Sequence, residues 1–286
     1  MTLVGSGDLV TAAVTAGGAA LAFNVVTLEH AEGIAAGVER TRGAAILQIS
    51  ENAIRYHGGR LEPLAAACAR VAVASSAPLA IHLDHVRDAA LLETALSCAA
   101  DLHVGSVMID AAHLPYDDNV AQTRAFAERA HAVGLWVEAE LGEIGGKDGA
   151  HAPGVRTDPA EAAAFVAATG VDALAVAVGS AHAMTRRDAE IDVDLVRRLA
   201  AAVPVPLVLH GGSGVPDAVV RHAVAAGMRK LNVGTALNVA FTEAVRHALA
   251  ADPSVTDPRR YLDAGRAAIA DVVAERCRAL VAEVAR

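Results

Sequence analysis

Short apolar runs alternate with alanine-rich stretches of helical period from one end of this 286-residue chain to the other. Runs with the length and content of buried strands cover residues 20–26, 44–50, 78–84, 106–110, 135–141, 173–178, 206–210 and 230–233. Between them, apolar positions recur at helical spacing over residues 29–40, 61–75, 88–99, 119–133, 159–169, 192–201 and 217–226. Start signals agree: Thr157-Asp158-Pro159 sets a capping carboxylate and a first-turn proline ahead of one helical stretch. Alternating strand and helix implies a parallel sheet, and eight strands favour a closed (β/α)8 TIM barrel. An open doubly wound sheet is the other arrangement, but no Gly-x-Gly-x-x-Gly turn opens a first helix to support it. Beyond the eighth strand lie a helical stretch at 235–250, a polar break at 252–260 and a last helix from about Tyr261. That tail exceeds what a barrel needs and is expected to pack on the rim or on a neighbouring subunit. No linker, repeat or low-complexity tract interrupts residues 1–286, so a single domain is predicted.

In such barrels catalytic groups lie at the C-terminal ends of the strands. Polar side chains occupy those ends here with regularity: Asn24, Ser50, Asp84-His85, Asp110, Glu140, His182, His210 and Asn232. The densest cluster is Ile81-His82-Leu83-Asp84-His85, an apolar run ending in a carboxylate beside an imidazole. His182 and His210 likewise stand where apolar runs give way to small-residue loops. Three histidines delivered in this way can hold one zinc ion and leave a position open for substrate, as catalytic zinc requires. Asp84, one residue from a ligand, is then placed to move a proton beside the metal. His82 shares the face of Asp84 by the strand period and is expected to make a supporting hydrogen bond rather than to ligate. Glu138 and Glu140 share one face of the fifth strand. Two buried carboxylates require a nearby metal, an active-site water network or an internal salt bridge to Lys or Arg, the last weighing more for Glu138.

His210-Gly211-Gly212-Ser213-Gly214 and Asn232-Val233-Gly234-Thr235 follow the seventh and eighth strands. There barrels commonly build a phosphate site from backbone N–H groups and a helix N-terminus. Glycines let the backbone approach the anion, and Ser213 and Thr235 add hydroxyl donors. Residues 142–149, containing Lys147-Asp148, form a long Gly-rich charged loop that reads as a mobile lid or as a plain surface loop. A formal charge of −9 with no Lys/Arg run argues against nucleic acid as a partner, so an anionic ligand must be held by local devices. The N-terminus lacks a basic segment followed by an apolar core, and no apolar run reaches bilayer length, so no membrane partner is expected. Cys68, Cys98 and Cys277 are scattered and read as core thiols of a cytoplasmic protein. Of the only two lysines, Lys147 and Lys230, neither is expected deep in an apolar strand beside an activating neighbour, which argues against Schiff-base chemistry.

At this point the residues resemble the class II, zinc-dependent ketose-bisphosphate aldolases, the family of fructose- and tagatose-bisphosphate aldolases. The likeness is carried by Ala22-Phe23-Asn24, residues 81–85, Val107-Met108-Ile109-Asp110, residues 137–146, 169–182, 207–216 and 230–235, and Asp257-Pro258-Arg259-Arg260-Tyr261. It implies that His85, His182 and His210 are the zinc ligands and Asp84 the catalytic aspartate. Glu140 and Asp110 match carboxylates that can contact a displaced zinc position. Gly211, Gly212, Ser213, Asn232, Gly234 and Thr235 match segments that bind the phosphate of dihydroxyacetone phosphate. Asn24, Ser50 and Ala183 match substrate-contacting positions, and Arg266 matches an arginine for the distal phosphate. The resemblance further implies a monovalent cation (Na+ or K+) held partly by backbone carbonyls near residues 182 and 211, and assembly as a homodimer or homotetramer.

The implied activity is reversible cleavage of a fructose- or tagatose-type ketose 1,6-bisphosphate, through a zinc-stabilised enediolate. The products are dihydroxyacetone phosphate and an aldehyde such as glyceraldehyde 3-phosphate. The chain departs from the family pattern at Ala111-Ala112, at Ala183, where the family usually has glycine, and at Lys147-Asp148, where consecutive acids are usual. The alternatives are an aldolase of the same family acting on a different ketose phosphate and a non-catalytic sugar-phosphate-binding partner subunit. A zinc hydrolase on the same barrel would not need two phosphate loops, and it would carry His-x-His at the first strand, which here ends in Asn24.

Overall fold

All eight apolar runs pair as parallel strands in chain order and close on themselves, as a computed structural model describing residues 2–142 and 155–281 shows. The strands are β1 (Ala20–Asn24), β2 (Ala45–Ser50), β3 (Leu79–Val86), β4 (Ser106–Ile109), β5 (Trp136–Leu141), β6 (Ala173–Val176), β7 (Leu207–Leu209) and β8 (Met228–Val233). The helices begin with α1 (Ser6–Thr15), α2 (Leu28–Glu39), α3 (Glu51–Tyr56), α4 (Glu62–Ala74), α5 (Ala89–Cys98) and α6 (Tyr116–Ala132). They continue with α7 (Pro159–Thr169), α8 (Val193–Ala202), α9 (Asp217–Ala226), α10 (Thr235–Ala251) and α11 (Pro258–Val281). This is a (β/α)8 TIM barrel with an added C-terminal helix. Where the sequence marks caps, the structure uses them: Asp88, Asp158 and Asp192 each accept backbone N–H bonds at the start of a helix.

Two short helices escape the periodicity of the sequence. One is α3, capped by Ser50, whose hydroxyl accepts from Ala53 N at 3.3 Å. The other is α1, which closes the N-terminal mouth of the barrel. Its Val10 packs with the inward-facing Ala20, Ala22, Ile46 and Ala80, and Trp136 joins this cluster. Gly7 lies so close to that indole that a Cβ there would come within 2.8 Å of it. The outward side chains, Leu21, Phe23, Leu47, Ile49, Ile81 and Leu83 among them, pack beneath the helices in one continuous core.

Small inward residues at the closed end leave room for long polar ones above. Gln48, His82, Glu138 and Lys230 are all buried within the barrel. Lys230 thereby departs from the expectation drawn from its sequence neighbours: it is 0% exposed in the middle of β8. The cause is strand period, since Lys230 and Asn232 face inward while Leu231 and Val233 face the helices.

Within the chain, the last helix of the tail lies against α2 and α10. Two glycines one helical turn apart on α2 make this possible. A Cβ at Gly33 would sit 2.8 Å from Arg266 O, and one at Gly37 would sit 2.6 Å from Ala270 O and 2.7 Å from Val273 Cβ. Gly37→Val is therefore expected to lower unfolding free energy by about 1–3 kcal/mol through overpacking. Chemical denaturation checks this, and a midpoint unchanged from the parent would show that α11 does not depend on that close approach.

Candidate functional site

Inward-facing residues and the loops beyond the strand ends meet at the C-terminal mouth. β3 runs through Asp84 and His85 to Val86 rather than stopping at Asp84, with an irregular register against β4 after Leu83. His85 takes a left-handed backbone, φ 51°, which allows Asp84 and His85 side chains to serve the same opening. β7 ends at Leu209, so His210 heads the loop, and Gly211 follows at φ 70°. His182 lies on the loop after β6, and Ala183 beside it stands at φ 58°. A left-handed alanine costs about 1–2 kcal/mol relative to glycine's freedom. The backbone there keeps a glycine-like conformation despite the exchange.

His85, His182 and His210 converge, with ring centroids 4.9, 4.7 and 5.5 Å apart for the three pairs. One ligand atom from each of these histidines and one from Glu140 lie within 4.8 Å of one another. His85 Nδ1 lies 2.8 Å from Asp110 Oδ2. Because a carboxylate only accepts, Nδ1 carries the proton and the lone pair of Nε2 faces the cluster. That buried Nε2 has no hydrogen-bond partner among the described residues. Asp110 also accepts from Arg87 Nε at 3.0 Å. Burial, the largest influence, would raise its pKa, but His85 and Arg87 together hold it well below the ordinary carboxylate range.

His210 is held from behind in the same way, its Nε2 3.0 Å from Glu138 Oε1, while its Nδ1 faces Glu140 Oε2 at 3.0 Å. Burial by itself would lower its pKa. Bonds to the two carboxylates outweigh burial and push it up to about 9. The two carboxylates thus favour positive charge at this point of the site. The donor set, with three imidazoles and a carboxylate converging and two of the imidazoles backed by further carboxylates, fits a divalent metal ion.

Glu138 itself belongs to the wall rather than to the cluster. It makes an ion pair with Lys230 Nζ at 2.8 Å, the internal salt bridge weighed from the sequence. Burial would raise its pKa, but Lys230 foremost, then His210 and His82, bring it down to about 2. His82 makes the supporting bond expected of it, to Ser106 Oγ at 2.8 Å, and is kept neutral by burial and by the Lys230 charge, its pKa brought down to about 3.

A cavity of about 370 Å³ opens beside the cluster. It brings together the predicted Asn24, Ser50, Asp84, His182, Ala183 and Asn232. The loop residues Gly211, Ser213, Gly234 and Thr235 also line it. Ser213 Oγ accepts from Gly234 N and Ala236 N, both at 3.1 Å, at the start of α10. Gly212, in the same loop as Ser213, is buried.

The structure gives three further placements. Asp110 stands behind His85 as its hydrogen-bond partner and is not one of the four converging groups. Arg266 lies on α11, paired with Glu32 of α2 at 2.8 Å and with Asp263 at 2.5 Å, outside the cavity lining that this chain forms by itself. The third is Lys230, whose Nζ is engaged by Glu138, Gln48 and Asn232. Lys147-Asp148 lies outside the described residues. Reading the sequence missed Gln48, Asn52, Tyr56 and Asn238. Gln48 had a signal, a lone polar side chain at an inward position of an apolar strand. The other three sit on helices α3 and α10, where a polar residue signifies little.

In comparisons with known proteins, the family model described as "Fructose-bisphosphate aldolase class-II" matches residues 4–283. A "Probable fructose-bisphosphate aldolase" of Bacillus subtilis (strain 168) is 38% identical over 283 residues, covering 97% of each chain. The "D-tagatose-1,6-bisphosphate aldolase subunit GatY" of Klebsiella oxytoca is 34% identical over 278 residues, 96% of this chain and 95% of its own. Among solved structures, the YdjI aldolase from Escherichia coli K12 superposes with a TM-score of 0.82 at 27% identity, covering 97% of each chain.

Asp110→Asn should lower metal affinity about 10- to 100-fold while leaving the fold intact, since it weakens the group that orients His85. Competition against a chelator measures this. Affinity equal to the parent's would mean that His85 does not depend on Asp110 for its orientation.

Proposed function

Because the chain belongs to the class-II fructose-bisphosphate aldolase family, and is thus a carbon–carbon lyase for sugar phosphates, we propose that it reversibly cleaves a fructose- or tagatose-type ketose 1,6-bisphosphate to dihydroxyacetone phosphate and glyceraldehyde 3-phosphate. The observation that carries this reading is the convergence of His85, Glu140, His182 and His210 next to Asp84, at the mouth of a cavity rimmed by two glycine-rich loops. His85, His182 and His210 would hold zinc. Zinc bound there would supply Lewis acidity, polarising the ketose carbonyl and stabilising the negative charge that develops as the C3–C4 bond breaks.

Asp84, whose carboxylate lies 3.9 Å from His85 Nε2, takes the proton of the C4 hydroxyl in cleavage and returns it to the aldehyde oxygen in condensation. Asn232 Nδ2 approaches Asp84 Oδ1 at 3.5 Å and steadies the carboxylate from the opposite wall. The backbone N–H groups of Gly234 and Ala236 donate to Ser213 Oγ, which ties the loop after β7 to the start of α10 and so holds together the two segments that would receive the phosphate. Asn24 and Ser50 contact the sugar. The family likeness also supports a monovalent cation near the 182 and 211 loops, a homodimer or homotetramer, one catalytic domain and a cytoplasmic location. Among the described residues no helix is long and apolar enough to cross a membrane.

The test is release of dihydroxyacetone phosphate from fructose and tagatose 1,6-bisphosphates, before and after chelation and with zinc added back. Cleavage is expected to vanish on chelation and to return with zinc. Asp84→Ala should keep its metal and lose about 10²–10⁴-fold in turnover. A metal-loaded protein inert towards both sugars, or an Asp84→Ala variant with full turnover, would reject this function.

A further inference from the structure

Lys230 has no part in the reaction as described so far, yet among the described residues it is the one Lys or Arg with no exposure at all. Its Nζ faces three oxygens: Glu138 Oε2 at 2.8 Å, Asn232 Oδ1 at 2.8 Å and Gln48 Oε1 at 3.2 Å. An ammonium has three donors and no acceptor. Each neighbouring amide must therefore turn its oxygen towards Lys230 and its NH2 group away. For Asn232 this sends Nδ2 towards Asp84 Oδ1, 3.5 Å away. For Gln48 it sends Nε2 to Asn24 Oδ1 at 3.0 Å, which in turn commits the Asn24 oxygen and leaves Asn24 Nδ2 as the group offered to the cavity.

From this we infer that Lys230 is a positioning residue which, through two amide relays, fixes the site as a ring of hydrogen-bond donors around the substrate oxygens and Asp84. A free amide flips at little cost, exchanging donor for acceptor at the same place. An asparagine flipped at position 232 would aim an oxygen at the Asp84 carboxylate, and one flipped at position 24 would aim an oxygen at a sugar oxygen. The first is a repulsive contact, and the second withdraws a donor from the substrate. Lys230 excludes both states without touching the substrate. The relays begin on β8 and pass to β2 and β1, strands whose register sets Lys230 level with Ala20 and Asn24 level with Gln48. The small Ala20 leaves the lysine stem its space.

This inference rests on the aldolase reading for its kinetic consequences but not for the amide orientations, and the experiment separates the two. In the zinc-loaded full chain, Lys230→Met is combined with Glu138→Gln, so that no unpaired charge is buried and position 138 still accepts from His210. Metal content, kcat and KM for the ketose bisphosphate are measured alongside the side-chain amide signals of ¹⁵N-labelled Asn232 and Gln48. The expected result is a folded protein with one metal per chain, altered amide signals, and kcat/KM lower by about 10- to 100-fold with both constants affected. Gln48→Met, which cuts the relay to Asn24, should raise KM about tenfold, leave kcat within about threefold and shift the Asn24 side-chain amide signal before substrate is added, a change that loss of a direct substrate contact would not produce.

A folded, metal-loaded double variant with kcat and KM within about threefold of the parent overturns the proposal. Loss of the metal from the double variant but not from Glu138→Gln alone also overturns it, by showing that Lys230 serves the metal site rather than the amides. Should the double variant fail to fold, Gln48→Met decides, and an unchanged KM counts against the relay. Should the parent cleave neither sugar while the amide signals still respond to the double variant, the aldolase reading fails and the orientation role stands.

Discussion

The ion pair between Lys230 and Glu138 at the centre of the barrel is the interaction on which the rest of the site leans. Both side chains are 0% exposed, so each is removed wholly from water. Such a pair adds little net stability, because desolvation offsets most of the attraction, yet losing one partner leaves a buried charge that costs about 3–5 kcal/mol. That is a large share of the roughly 5–15 kcal/mol that hold a domain folded. The pair is therefore hard to lose once present, and its neighbours are arranged around it. Glu138 reaches His210 from behind, Lys230 orders Gln48 and Asn232, and the Lys230 charge helps keep His82 neutral.

Room for that polar layer comes from residues with no chemistry of their own. Ala20, Ala22, Ala80, Ala173 and Ala175 face the barrel axis, where larger side chains would fill the space taken by lysine, glutamine and histidine stems. α1 and Trp136 then close the opposite mouth, keeping water from the polar layer on that side. The interior is thus divided: a tight apolar floor that holds the strands together, and a polar ceiling whose groups satisfy one another.

At the ceiling the backbone carries strain. His85, Ala183 and Gly211 all adopt left-handed conformations around the converging imidazoles. Only one of the three is glycine, so two residues bear a conformational cost that loops tolerate when surrounding structure over-determines them. At His85 the geometry follows from the irregular strand, which lets consecutive residues serve one opening. At Ala183 the loop keeps the turn that a glycine would adopt without cost, so the exchange alters stability more than shape.

Much of this protein was legible in its sequence. Strand and helix periods are local properties, and their alternation determined the barrel, the strand ends and the polar side chains placed there, including Asp84, His85, Glu140, His182 and His210. Boundaries drifted where tertiary contacts prevail over local pattern: β3 continues to Val86, and α1 and α3 form because the barrel mouth and the Ser50 cap support them. What only the tertiary structure decided is pairing across strands far apart in the chain. Asp110 and Arg266 were both read as candidates for direct contact, yet one stands behind His85 and the other faces α2, because distance between elements is not written in their own residues. Lys230 is the plainest case. Its neighbours Arg229 and Leu231 say nothing of burial, and only the closing of β8 onto β1 and the reach of Glu138 from β5 turn a lone lysine into the centre of the site.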